Sequence, residues 1–163
     1  MPDVELIGED GKVVRLSSFR GKALAFTFIF TRCPLPDYCP RMSNYFGSAR
    51  QLLLADKAAP ANWQLLSISF DPEHDTPEVL RTYAGGLRAG NPDRWLFATA
   101  PQDQLKAVAP RLDLMVKRDG ESFQHNLRTV VLDTRGRIHK QLDGNEWAPK
   151  DLAGALAEAA RVK

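Results

Sequence analysis

Residues 23 to 30 read Ala-Leu-Ala-Phe-Thr-Phe-Ile-Phe, an apolar run broken only by Thr27. It is far shorter than the ~20 residues that span a bilayer. A run without polar alternation also offers no face to solvent. It fits a strand covered on both sides, as at the centre of a parallel sheet. Such a strand needs parallel neighbours, and parallel neighbours need crossover connections, usually helices.

The rest of the chain supplies them. Pro34, Pro36 and Pro40 hold off regular helix until Pro40, which suits a first turn. Met42, Tyr45, Phe46, Ala49, Leu52 and Leu53 then recur at helical spacing, predicting an amphipathic helix from 40 to about 56. Residues 64 to 70 predict a second strand. Asp75-Thr76-Pro77-Glu78 opens a helix from 76 to about 88: Asp75 or Thr76 caps, Pro77 fits the opening turn, and Glu78 favours the positive end of the dipole. Trp95-Leu96-Phe97 predicts a short strand and residues 101 to 109 a short helix. Residues 4 to 16 predict a leading hairpin, and 128 to 133 with 137 to 142 a closing one. Pro149 opens a last helix with Leu152, Leu156 and Ala159 on one face.

This order predicts an α/β sandwich, parallel in its first half, with an antiparallel pair added and helices on both faces. The 163 residues show no repeat and no linker, so a single domain spans 1–163. Hydrophobic residues at 44% exclude disorder as the main state. A net charge of +2 without any run of Lys or Arg leaves no footprint for nucleic acid or an anionic membrane.

The only cysteines are Cys33 and Cys39, too few for a disulfide framework and close enough to act together. Cys33 lies just past a buried strand and Cys39 at the start of a helix, where α/β sheets collect function. The helix dipole would lower the pKa of a thiol placed there. The five intervening residues allow either a disulfide or joint capture of one ion. Two inert buried thiols are the structural alternative, against which the prolines argue by holding an exposed loop. Of three histidines, His74 sits in a polar loop and His139 on the outward face of a strand. His125 leads into the strand beginning near 128, which should neighbour the one ending before Cys33. Two thiolates and an imidazole form a soft donor set that favours Cu(I) over Ca, Mg or Mn. Zinc accepts these donors too, but a structural zinc site uses four. Met42, at helical spacing with Tyr45, Phe46 and Ala49, reads as core.

Phe30-Thr31-Arg32-Cys33 followed by Tyr38-Cys39-Pro40 resembles the Cys-Pro-x-x-Cys-Pro loop of the Sco/SenC family of thioredoxin-like copper proteins. The run Ser67 to Glu78, with Asp71-Pro72-Glu73-His74-Asp75-Thr76-Pro77 within it, is similar to the family's second-strand signature. His125-Asn126 before a strand ending in Leu132-Asp133 sits where the family has its histidine. The resemblance covers nearly the whole chain. It implies a thioredoxin-like three-layer sandwich of the glutaredoxin/peroxiredoxin type with an N-terminal β-hairpin. It implies copper, Cu(I) or Cu(II), held by Cys33, Cys39 and His125, with Asp71 beside the site orienting the cysteine loop. One departure stands out: the family spaces its cysteines by three residues, and here there are five. Binding could be weakened while disulfide formation is retained.

Three functions follow from this reading. The first is a copper metallochaperone that assists assembly of the cytochrome c oxidase copper centre, its partner the copper-bearing subunit or another redox or copper protein. The second is a thiol–disulfide oxidoreductase using Cys33 and Cys39 as a redox pair, with His125 dispensable. The third is a peroxiredoxin-like peroxidase using Thr31 and Arg128, for which the Pro-Thr-x-x-x-Cys pattern is missing. The resemblance implies a periplasmic or outer-face location with a native membrane anchor. The chain itself opens Pro2-Asp3-Val4-Glu5-Leu6 with no signal peptide, which reads as cytoplasmic unless a targeting segment was removed.

Overall fold

The computed structural model describes residues Met1–Lys163. The apolar run becomes β3 of nine strands, after β1 (Glu5–Gly8) and β2 (Val13–Arg15); β3 itself is Ala23–Ile29 and is buried at every position. Helix α1 (Cys39–Ala55) leads to β4 (Trp63–Ser69), then α2 (Pro77–Leu87) to β5 (Trp95–Thr99) and α3 (Gln102–Val108). Strands β6 (Val116–Asp119) and β7 (Ser122–His125) precede β8 (Arg128–Leu132), β9 (Ile138–Asp143) and α4 (Pro149–Ala160).

Seven strands form one sheet in the order β2-β1-β5-β4-β3-β8-β9. β3, β4 and β5 run parallel, with Ala23 opposite Trp63 and Leu65 opposite Trp95; the flanking strands run antiparallel. β3 therefore sits inside the sheet, as its unbroken apolar sequence requires. The steps β3→β4→β5 move in one direction, and right-handed crossovers put α1 and α2 on the same face. The Phe46–Trp95 and Tyr83–Phe97 ring pairs, 6.2 and 6.0 Å between centroids, join these helices to one side of β5. α4 packs beside α1 and over β3 and β8. Three of the four helices thus share a face, a more one-sided cover than element order alone predicts.

Polar groups inside the sheet are paired. Thr27 Oγ1 donates to the Arg128 carbonyl at 3.0 Å and accepts from Thr129 Oγ1 at 3.2 Å, while Trp95 Nε1 donates to Ser67 Oγ at 3.0 Å. Met42 is buried, as its spacing predicts. Thr76, rather than Asp75, caps α2 by accepting from the Val79 N–H.

The ribbon β6–β7 has no counterpart among the sequence expectations. Its strands are short and mostly exposed, so they lack the alternation that marks a strand. The signal that was available is Asp119-Gly120: Gly120 takes φ +61° in the two-residue turn that closes the ribbon, a conformation glycine adopts without strain. No helix of the chain is long and apolar enough to cross a membrane.

Candidate metal and thiol site

Three separate pieces of chain converge beyond the C-terminal end of β3. Cys33 follows that strand, Cys39 is the first residue of α1, and His125 ends β7. Their ligand atoms all lie within 4.8 Å of one another, and Cys39 Sγ is 3.5 Å from His125 Nε2. The five-residue spacing therefore leaves the thiols close. The extra length is absorbed as an outward bulge, Pro34 to Asp37, whose side chains are exposed. Asn145 Nδ2 ties it down by donating to the Asp37 carbonyl at 2.8 Å.

The thiols are not equivalent. Cys39 is 0% exposed, whereas Cys33 is half-buried at the edge of a cleft of about 460 Å³ lined also by Phe30, Tyr38, Phe123 and His125. The hydrogen bond between the two thiols holds the Cys33 pKa well below the usual range, against the cost of burial. The same hydrogen bond, followed by burial, pushes Cys39 up. The sequence expectation that the helix dipole favours the thiolate at Cys39 is thus corrected. The dipole is worth about 0.3–1 kcal/mol at exposed sites, less than full burial beside a second thiol costs. Under limiting iodoacetamide Cys33 is expected to be alkylated first and Cys39 only after unfolding, as read by fragmentation of the peptide 33–41. Equal labelling in the native state would contradict this inequality.

His125 is held ready to accept. Its Nδ1 lies 2.9 Å from the Asn126 carbonyl, which can only accept, so the proton sits on Nδ1 and the Nε2 lone pair faces the thiols. Rings of Phe30, Phe70 and Tyr38 stand 5.8, 4.9 and 5.8 Å from the imidazole, so this side chain is only 9% exposed. A soft cation fits this donor set: two sulfurs and an oriented imidazole in a largely apolar wall.

Two carboxylates from the loop after β4 grip the residues just before Cys33. Asp71, placed beside the site by the sequence reading, is buried and accepts from Arg32 Nη2 at 2.9 Å; its other oxygen has no partner. Asp75, read from sequence only as a helix cap, is 0% exposed and reaches further. It accepts from the Thr31 N–H at 3.0 Å, from the Thr31 hydroxyl, and from Ser69 Oγ at 2.6 Å. Ser69 Oγ in turn accepts from the Asp71 N–H at 3.1 Å. Only the fold reveals this link, since Thr31 and Asp75 are 44 positions apart.

Other sequence candidates lie elsewhere. His139 faces Glu158 of α4 at 3.5 Å, and His74 stays in the turn before α2. Thr31 is committed to Asp75. Arg128 donates to the Leu112 carbonyl at 3.0 Å and pairs with Asp113 and Asp143. The residues a peroxidase reading would recruit are therefore engaged in other contacts.

A parallel-centred sheet with a thiol pair at a strand end, one thiol half-buried at a cleft edge and one opening a helix, defines a thioredoxin-like protein; the imidazole facing both sulfurs adds a soft-metal donor set. The sequence profile of the SCO1/SenC family matches residues 1–161, and the chain belongs to that family. A relative described as an SCO1 protein homolog, from Bacillus subtilis, is 29% identical over 147 residues, covering 88% of this chain and 73% of its own length. The crystal structure of Arabidopsis thaliana ScoI with copper bound superposes with a TM-score of 0.82 at 21% identity, covering 98% of this chain and 97% of the other. BsSco, described as having a disulfide switch and as a member of the Sco family of cytochrome c oxidase assembly proteins, gives 0.79 at 24% identity, covering 99% and 94%. These two likenesses establish the thioredoxin-like fold.

Proposed function

We propose that this protein is a copper metallochaperone of the Sco type that binds Cu(I) through Cys33, Cys39 and His125 and assists assembly of the cytochrome c oxidase copper centre. The observation that carries the reading is the convergence of two sulfurs and the free Nε2 lone pair within 4.8 Å. Copper here is cargo. Cys33 meets it first at the cleft edge, Cys39 anchors it from the buried side, and His125 closes the set. Asp71 and Asp75 position the cysteine loop through Arg32 and Thr31. Copper bound to the Arabidopsis relative and the oxidase-assembly description of BsSco support the same reading. The partner would be the copper-bearing oxidase subunit or another redox or copper protein. The protein would work at the outer face of a membrane or in the periplasm, where a disulfide persists.

A second reading has its own support: a half-buried Cys33 of lowered pKa beside the buried Cys39 is the asymmetry a thiol–disulfide oxidoreductase needs. Titrating fully reduced protein with Cu(I) against a chromogenic chelator tests the first reading. One-to-one binding is expected, abolished once Cys33 and Cys39 are oxidised to a disulfide. No binding by reduced protein, with a readily cycled disulfide, would leave the oxidoreductase.

A further inference from the structure

We infer that Met115 is a transit ligand, a thioether at the mouth of the cleft that takes up Cu(I) and passes it to Cys33 without being one of the resident donors. The inference rests on the copper reading above. Met115 is 59% exposed, while Met42 is wholly buried. Methionine ordinarily fills gaps in cores, so leaving one in solvent forgoes its packing value. It lines the same cleft as Cys33 and His125.

Its position is fixed by the residue that also fixes His125. The Met115 N–H donates to Asn126 Oδ1 at 2.9 Å, and the Asn126 N–H donates to the Met115 carbonyl at 3.2 Å. The Asn126 carbonyl accepts from His125 Nδ1 at 2.9 Å, and Asn126 Nδ2 donates to the Asp113 carbonyl at 2.8 Å. One asparagine thus clamps the 113–115 segment to the imidazole. The exposed thioether is carried on the same hydrogen-bonded unit as the third donor.

The chemistry suits a waystation. A thioether is soft, neutral at every pH and needs no deprotonation to bind, so it selects Cu(I) while competing poorly with a thiolate. The transfer is a ligand exchange without redox: the Cu–S bond to Met115 breaks as the bond to the Cys33 thiolate forms, and the reverse occurs on release. No electron moves and the copper stays Cu(I).

Met115→Leu keeps the volume and removes the sulfur. In the full chain, stopped-flow transfer of Cu(I) to a chromogenic chelator is expected to slow about tenfold, a barrier change of ~1.4 kcal/mol. Equilibrium affinity from competition with the same chelator is expected to stay within about twofold, under ~0.5 kcal/mol. Unchanged transfer rates would overturn the inference. So would a matching loss of affinity, which would make Met115 a resident donor. If wild-type protein binds no Cu(I), the copper reading fails first, and that is visible before any variant is made.

Discussion

Removing the imidazole of His125 is expected to weaken Cu(I) binding by on the order of 100-fold or more, beyond the 10–100-fold that losing an outer-shell partner of a ligand costs. The two thiols remain, but a soft ion held by two sulfurs alone loses the donor whose lone pair the Asn126 carbonyl has aimed. His125→Ala also empties a space walled by Phe30, Phe70 and Tyr38. His125→Phe is therefore the better variant, since it keeps an aromatic ring in that wall and removes only the nitrogen. Its apoprotein should melt close to wild type while its Cu(I) affinity falls, and the Cys33–Cys39 disulfide should still form. Unchanged affinity in both variants would show that the thiols suffice and would favour the oxidoreductase reading.

Asp75→Ala is expected to lower stability by about 2–4 kcal/mol. The carboxylate accepts hydrogen bonds from the Thr31 N–H, the Thr31 hydroxyl and the Ser69 hydroxyl, and truncation leaves all three donors without that partner. Each orphaned buried group costs about 1–3 kcal/mol. Part of the sum is offset because a charge no longer has to be kept out of water. For a chain of this size each kcal/mol shifts Tm by about 2–4 °C, so a loss of roughly 5–15 °C is the calorimetric result to look for. Asp75→Asn, which keeps one accepting oxygen, should lose less. A shift under about 2 °C for the alanine variant would mean water replaces the carboxylate at little cost. Because Thr31 stands two residues before Cys33, the cysteine loop should also loosen, and the alkylation contrast between Cys33 and Cys39 should narrow.

Much of this architecture is legible in the sequence, for identifiable reasons. The apolar run 23–30 has no solvent face, so it marks the centre of the sheet without any knowledge of its neighbours. Helix starts at Pro40, Pro77 and Pro149 fall within a residue of those observed, because proline and capping residues act locally. The approach of His125 to the cysteines follows once β8, the strand it leads into, is placed beside β3. Other features are non-local. The ribbon β6–β7 buries little and carries no strong pattern. Asp75 looks like a cap until the fold brings Thr31 to it. The ranking of the thiols depends on burial, which spacing does not encode: Cys39 lies where the dipole would favour an anion, yet its neighbour thiol and its burial push its pKa up.

The ribbon that carries His125 belongs to a separate two-stranded ladder, outside the seven-stranded sheet. Its hold on the body of the protein comes from the rings of His125 and Phe123, the latter against Phe30 and Phe70 at 5.2 and 5.1 Å, from Val116 against the core and from the exposed Arg118–Glu73 pair. The cysteine loop, by contrast, is anchored to buried carboxylates. On the copper reading the donor set would be stiffer on its sulfur side than on its nitrogen side. Two-stranded ribbons open at far lower free energy than the cores they decorate. On that reading, release of an ion would call for movement of the ribbon rather than of the seven-stranded sheet. Cargo lifetime and fold lifetime would then depend on different parts of the chain.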